Sequence, residues 1–400
     1  TGDSDGESGT SAADASSTAG PSTGGSTGDI PFACERGEEL VPGLCFERYP
    51  VELPGAIVGD RATGANIDAQ GGDELVIEAV IDDQQRLVVL GFDRETGTTL
   101  RYEAEPTIHP DLDDTILFAA DVVGDEGEEV FRTVQDGLNQ CGVDASGSFV
   151  CESKPSSGVE NLKPAIPVRL NYTSLVRTYL ISRSADDLQL GLDVYRLGSA
   201  AMGSFAGAKS SPPCEDPIAI DHGDFNGDGF VDIVHHSSTA CVPGDDPRRD
   251  DVNVLKGIDG NDFDVPAPAD ADVEPVLLVV IDVDGDELDD VVVHEPARGE
   301  DGYRLLRSEG DRFSAATPLP GPAGTQSLHA ARFQRDGSLR LVYAGAEQTA
   351  IATRNHDDYD ALDPSIGHLL AVLDVDGDGR DDLLLAGPSQ RELTLLVVTD

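Results

Sequence analysis

Tryptophan is absent from this 400-residue chain, methionine occurs once, and aromatic residues make up only 5% of it. Glycine (44) and proline (24) are plentiful instead, a mix that suits many short strands joined by turns and argues against long helices. Positive charge is the second scarcity. Lysine stands only at Lys154, Lys163, Lys209 and Lys256, and 27 Lys plus Arg face 76 Asp plus Glu, a formal charge of −49. Such a surface repels phosphate backbones and anionic lipid headgroups, so neither nucleic-acid nor membrane-surface binding is expected. No apolar run approaches the roughly 18–20 residues needed to cross a bilayer, so no transmembrane segment is expected. Zinc-type C-x-x-C spacing is missing. A nucleophile elbow, a phosphate loop and a zinc-protease helix are missing too, which leaves no signature of a familiar enzyme.

The acidity has three readings: a halophilic surface, a store of carboxylate ligands for calcium, or a solvated face without a partner. Residues 1–29 hold only Ser, Thr, Gly, Ala, Asp, one Glu and one Pro. A stretch like this buries too little surface to offset its ordering entropy, so a disordered tether is expected over 1–29, followed by one folded domain over 30–400. It resembles the Ser/Gly/Asp tethers that follow the lipidated cysteine of bacterial secreted lipoproteins. That resemblance implies a lipid anchor before Thr1 and a place outside the cell or at its envelope; an unstructured leader with no anchoring role is the alternative. No signal peptide is present, so the chain is expected to start after a processing event. The six cysteines fall in sequence as Cys34 and Cys45, Cys141 and Cys151, Cys214 and Cys241. Local pairing is the simplest connectivity and suits an oxidising compartment, with reduced buried cysteines as the alternative.

One pattern recurs. Asp224-Phe-Asn-Gly-Asp-Gly-Phe-Val-Asp232, Asp282-Val-Asp-Gly-Asp-Glu-Leu-Asp-Asp290 and Asp374-Val-Asp-Gly-Asp-Gly-Arg-Asp-Asp382 each lie between two apolar runs. The unit is strand, acidic loop, strand. Weaker copies start at Asn66 (with Asp68, Gln70 and Glu74), at Asp121 (with Asp125 and Glu129) and at Arg332 (with Gln334, Asp336 and Arg340); a seventh, without acids, turns near Leu170. The starts are about 51 residues apart, which is what a four-stranded propeller blade requires, and seven blades close a ring. The expected fold is therefore all-β, a seven-bladed propeller of four-stranded blades. The last unit offers only three strands, ending at Leu393-Thr-Leu-Leu-Val-Val398. Phe46-Glu-Arg-Tyr-Pro-Val-Glu-Leu-Pro54 matches the outer strand around Phe313–Pro320 in character and is expected to complete the last blade, covering two sheet edges. Facing residues of a hairpin keep a constant number sum. Cys214 and Cys241 fall within one residue of the register that Asp224 and Asp232 set, so they are expected to face each other. Cys141 and Cys151 flank a turn expected between the second and third strands of their blade.

Asp224-Phe-Asn-Gly-Asp-Gly-Phe-Val-Asp-Ile-Val234 resembles the FG-GAP/VCBS repeat, the blade unit of integrin-alpha-like propellers. The resemblance is strongest at the three full loops and covers about 46–400 as an organising period. It implies an adhesion-type role, with ligands meeting the face opposite the calcium loops.

Oxygens at loop positions one, three, five and nine, with a backbone carbonyl at seven, suit a hard cation taking six to eight oxygen ligands. The expected ligands are Asp224, Asn226, Asp228, the Phe230 carbonyl and Asp232; Asp282, Asp284, Asp286, the Leu288 carbonyl and Asp290; and Asp374, Asp376, Asp378, the Arg380 carbonyl and Asp382. Ca²⁺ is favoured, since Mg²⁺ dehydrates reluctantly and rarely uses an all-protein cage. An EF-hand would need a bidentate Glu at position twelve, where His235, Val293 and Leu385 stand. For the loops at Asn66 and Asp121, metal binding and an empty turn stay equally open. The loop at Arg332 is expected to lack calcium, with the guanidinium groups at its positions one and nine serving Asp336 instead. His236 and His294 are read as strand histidines, with a metal or acid–base site as the alternative. The functional expectation is a calcium-stabilised binding module for a protein or glycan, without catalysis, with Arg248 and Arg249 as candidate ligand contacts in the long connection from Ser237 to Asp251. The alternative is a propeller enzyme, a lyase or hydrolase, acting on polysaccharide.

Overall fold

Each of the seven turn positions lies between two strands paired antiparallel, and in the computed structural model these pairs open seven antiparallel sheets among the described residues. The structure describes residues 34–400, except 105–116, 121–126, 135–136, 156–164, 173–174, 184–191, 197–202, 206–216, 238–251, 258–266, 271–276, 296–301, 311 and 388–391; between 153 and 218 it describes the backbone course alone. The tether expected over 1–29, the Cys214–Cys241 pair, Asp121, Asp125, Arg248 and Arg249 lie outside the described residues.

The first sheet comprises Ala56–Ala65, Glu74–Ile81, Gln84–Asp93 and Gly97–Glu103, and the second Leu117–Ala120, Glu129–Val134, Gly137–Val143 and Phe149–Pro155. Ala165–Tyr172, Leu175–Arg183, Leu192–Arg196 and Gly203–Phe205 form the third, and Pro217–Gly223, Asp232–Ser237, Val252–Leu255 and Ala267–Asp270 the fourth. The fifth contains Leu277–Ile281, Asp290–His294, Tyr303–Leu306 and Thr317–Leu319, and the sixth Thr325–Arg332, Leu339–Gly345, Thr349–Ala352 and Tyr359–Ala361. His368–Leu373, Asp382–Ala386 and Leu393–Thr399 build the seventh, and Leu44–Val51 adds a fourth strand to it.

That addition has the expected partner. Phe46 faces Val398, and Pro50 faces Thr394. Proline lacks the donor a central strand needs; Pro50 is tolerated because the outermost strand, Glu38–Val41, pairs only with the stretch from Leu44 to Phe46. That fifth strand is additional to the expected four. Its hairpin turns at Pro42-Gly43, where Gly43 takes φ 74°, a turn signal that the sequence carries openly. The Cys34–Cys45 disulfide ties the chain ahead of this hairpin to it.

The second strand of each well-described sheet carries a run of consecutive apolar residues. Val291–Val293 and Leu383–Leu385 are fully buried, because a strand covered on both faces has no solvent side to alternate toward. The apolar clusters show what covers them. Residues of the first and seventh sheets share one cluster (Leu75, Ile77, Leu373, Leu384), and residues of the seventh and sixth share another (Leu385, Leu396, Phe333, Val342). Further clusters join the fifth and sixth, the first and second, and the fourth and fifth sheets. The opening strands of the second and third sheets, and of the third and fourth, touch as well. Each sheet thus packs on the next, and the seventh packs on the first.

Cys141 and Cys151 are disulfide-bonded and directly opposite each other. Their hairpin joins the third and fourth strands of the second sheet, not the second and third as the sequence reading had it. The difference arises because Val134 already pairs with Gly137, so a two-residue connection uses up the earlier hairpin. Disulfides of this kind persist in oxidising compartments. Among the described residues, no helix is long and apolar enough to cross a membrane.

Candidate metal centre

The three full loops share one hydrogen-bond scheme. The position-one aspartate accepts from amides within the turn: Asp224 from Gly227 (2.8 Å) and Gly229 (2.9 Å), Asp282 from Gly285 (2.7 Å) and Glu287 (3.2 Å), and Asp374 from Asp378 (3.1 Å) and Gly379 (2.9 Å). Positions three and five repeat this on a smaller scale. Asn226 Oδ1 and Asp376 Oδ1 each accept from the amide two residues on, and so do Asp228, Asp286 and Asp378. Position four is glycine with φ between +70° and +78° in all three, a left-handed conformation that most side chains resist. Position two is apolar, and Phe225 and Val375 plug it into the core between sheets.

Position nine belongs to the next strand and is buried. Asp232 Oδ2 accepts from the Phe225 amide and Oδ1 from Gly257; Asp290 serves Val283 and Ser308, and Asp382 serves Val375 and Val398 in the same way. One carboxylate therefore fixes the loop entrance and the end of the third strand together. Burial pushes Asp232 and Asp290 up to about 6, and Asp382 well above its ordinary range. Their amide bonds oppose that rise, while the other loop carboxylates reinforce it.

Two of the loops bring three carboxylates to one point. Oxygens of Asp282, Asp284 and Asp290 lie within 4.8 Å of one another, as do those of Asp374, Asp376 and Asp382. In the fourth-sheet loop the third position is Asn226, an amide oxygen held by the same bond as Asp376. Hard oxygen donors crowded this closely could hold a metal ion. The loop at Asn66 follows the scheme in part. Glu74 Oε2 accepts from Ile67 at 2.8 Å, Asp68 Oδ1 accepts from Gln70 at 3.0 Å, and the buried Asn66 Oδ1 has no hydrogen-bond partner. An orphaned oxygen at position one fits a cation there as well. Glu129, from the loop at Asp121, is buried at the start of its strand.

The loop at Arg332 departs from expectation. Asp336 is held by Ser338 and by the guanidinium of Arg354, which comes from the turn after the third strand of that sheet. Arg340 contributes only at longer range, and Arg332 acts toward Asp381 instead. Of the strand histidines, His294 is buried and stacks on Tyr303 at 4.2 Å, and His236 is buried too. Among the described residues, neither belongs to a metal-holding cluster.

Sequence reasoning missed position eight. Asp289 accepts from the Asp224 amide at 2.7 Å and donates its own amide to the Asp224 carbonyl at 3.1 Å. Glu128 brackets Asn66, Asp381 brackets Arg332 and Asp73 brackets Asp374 in the same two-bond manner. Each bracket ties a loop to position one of the neighbouring sheet's loop. The readable signal was the acid doublet (Asp73-Glu74, Glu128-Glu129, Asp289-Asp290, Asp381-Asp382). Successive strand residues point to opposite sides, so one acid serves its own loop and the other serves the neighbour.

At the junction of the first and seventh sheets the loops touch backbone to backbone. A Cβ on Gly377 would lie 2.4 Å from the Gly71 carbonyl, whereas one on Gly379 would meet open space. Gly379→Ala is expected to cost about 1 kcal/mol, for its positive φ alone, and Gly377→Ala about 3 kcal/mol. Urea denaturation of the two variants checks this; equal losses would mean that the junction is looser than described.

Among solved structures the chain is similar to BBS1N in complex with ARL6DN, at 12% identity and a TM-score of 0.51, over 88% of this chain and 96% of that one. It is also similar to an Agrocybe aegerita lectin that recognises non-reducing terminal N-acetylglucosamine, at 15% identity and a TM-score of 0.50, over 84% and 87% of the two chains. These neighbours are propeller-like, and the likeness shows an all-β, propeller-like fold. No family model and no curated protein matches the sequence.

Proposed function

We propose that this chain is a seven-bladed propeller of FG-GAP/VCBS type whose acidic loops bind Ca²⁺, and that it serves outside the cell or at its envelope as a binding module for a protein or glycan. The observation that carries the reading is the shared loop scheme: converging carboxylates at positions one, three and nine, with position nine buried and pushed up by desolvation. Buried carboxylates that repel one another cost free energy unless something neutralises them, and a divalent ion does so while satisfying their lone pairs. The backbone carbonyls of Phe230, Leu288 and Arg380 would complete the ligand set at position seven. The ion's role is structural, because the loops lie where strands one, two and three of a sheet meet the next sheet. A binding role is supported by the propeller-like neighbours, one solved in complex with a partner and one recognising a sugar.

Extracellular calcium sites bind at roughly 10⁻⁴–10⁻³ M, and tenfold saturation yields about 1.4 kcal/mol per site. Three sites contribute about 4 kcal/mol, so excess EDTA is expected to lower the melting temperature by about 5 °C, with calcium restoring it. A melt indifferent to both additions counts against the reading. A glycan and secreted-protein array, probed with and without calcium, tests the binding role; silence across both arrays removes it.

A further inference from the structure

A cavity of about 630 Å³ lies between the loop sides of the first and seventh sheets, and Arg94, Arg101, Arg335 and Arg380 line it among its acids. Arg94 belongs to the turn joining the third and fourth strands of the first sheet, yet its guanidinium crosses to the seventh. Its Nε donates to Asp376 Oδ2 at 2.6 Å, its Nη2 contacts that same oxygen and donates to the Val398 carbonyl at 3.0 Å, and Asp378 lies 3.8 Å away. Asp376 is the third position of the loop and one of its three converging carboxylates. Arg380 folds back on Asp378 at 3.0 Å and reaches Asp400 at 3.3 Å. Guanidinium groups from two sheets thus hold positions three and five of this loop. The other full loops differ. Asp284 of the fifth-sheet loop also meets a guanidinium, that of Arg307 at 3.2 Å, but this arginine side chain is 48% exposed, against 27% for Arg94.

We propose that Arg94 is a built-in counter-cation for the seventh-sheet loop: a divalent ion entering there takes Asp376 from the guanidinium, which withdraws into the adjoining cavity and gives up its tie to the seventh sheet. The proposal rests on the cation reading of the acidic loops. A divalent ion and a guanidinium on the same carboxylate are like charges a few ångströms apart, so loading the site pushes the guanidinium away. The side chain has somewhere to go, because it already borders the cavity. Two consequences distinguish this loop from the other two. It binds its ion more weakly, since loading breaks an ion pair and the bond to Val398. Loading is also felt by the N-terminal strand of the seventh sheet, because Glu47 stands 3.6 Å from the Arg94 guanidinium.

The test uses the full chain with Asp224→Ala, Asp282→Ala and Asn66→Ala silencing the other two full loops and the loop at Asn66. Calorimetric calcium titration then compares Arg94 with Arg94→Gln and Arg94→Lys. Arg94→Gln is expected to bind calcium about tenfold more tightly, while Arg94→Lys, which keeps the charge, stays weak. In EDTA, Arg94→Gln is expected to melt lower, having lost the tie. Equal or weaker binding by Arg94→Gln overturns the proposal, and so does an Arg94→Lys that tightens as far as Gln, since packing would then be the cause. If the silenced chain binds no calcium in any of the three forms while the unaltered protein does, the proposal falls and the cation reading stands on the other loops. An unaltered protein that binds none removes both.

Discussion

Replacing Phe46 with alanine is expected to lower stability by about 4 kcal/mol, the usual cost of emptying a large aromatic site in a well-packed core. Phe46 is fully buried, meets Phe333 edge-on at 5.9 Å, and shares a cluster with Leu383, Leu396 and Val398. The loss falls on the strand that brings the N-terminal part of the folded domain onto the seventh sheet. Without a firm seat for that strand, Leu393–Thr399 has a free edge, and unpaired edges invite association. Arg48→Ala, in the same strand but exposed, serves as the control and is expected to change stability by no more than about 0.5 kcal/mol. Urea denaturation reads both. A loss below about 1 kcal/mol for Phe46→Ala would mean that Leu44–Val51 is not seated in the core as described.

In EDTA the protein is expected to melt at a higher temperature at pH 5 than at pH 7, the reverse of ordinary acid denaturation. Asp73, Asp232 and Asp290 are each pushed up to about 6 by burial, and Asp382 further. Their unfolded values lie near 3.9. Between these limits the folded state holds more protons than the unfolded one, so stability falls as pH rises. The contribution is complete below about pH 4 and lost through about pH 6, at about 2 kcal/mol for each of Asp73, Asp232 and Asp290 once solvent screening is allowed for. Exposed aspartates held low by hydrogen bonds within their turns, from backbone amides at Asp93 and Asp363 and first from the Ser146 hydroxyl at Asp144, pull the other way. They sit at the surface, where solvent screens their effect. A bound cation favours the charged carboxylates, so excess calcium is expected to flatten or reverse the slope. Scanning calorimetry at the two pH values, with EDTA and with calcium, checks both arms. A Tm in EDTA that falls toward pH 5 would show that the position-nine carboxylates are charged and otherwise satisfied at neutral pH.

The repeat was legible because a nine-residue loop writes its whole geometry locally. Glycines mark the left-handed positions, acids the acceptors, and an apolar triplet the next strand. Strand pairs such as Leu277–Ile281 with Asp290–His294 therefore flank the acidic loops as the strand, loop, strand unit expects. The seating of Leu44–Val51 on the last sheet was legible from proline placement and from the missing strand at the far end. What escaped was set by neighbours distant in sequence. Asp289 and Asp381 read as surplus acids until the adjoining loop stood beside them. Arg354 could not be matched to Asp336 without knowing which turn of the sixth sheet lies against that loop. Glu38–Val41 is a different omission, since Pro42-Gly43 marked its hairpin openly.

The bracket between Asp73 and Asp374 spans 301 positions of chain, and Tyr49 pairs with Leu395 across a still longer gap. Contacts so remote carry a heavy loop-closure cost and form late. During synthesis, Leu44–Val51 emerges long before its partner strand, Leu393–Thr399, exists. Until then its apolar face, Phe46 included, has nothing native to cover it, and the chain's large negative charge works against association with its copies.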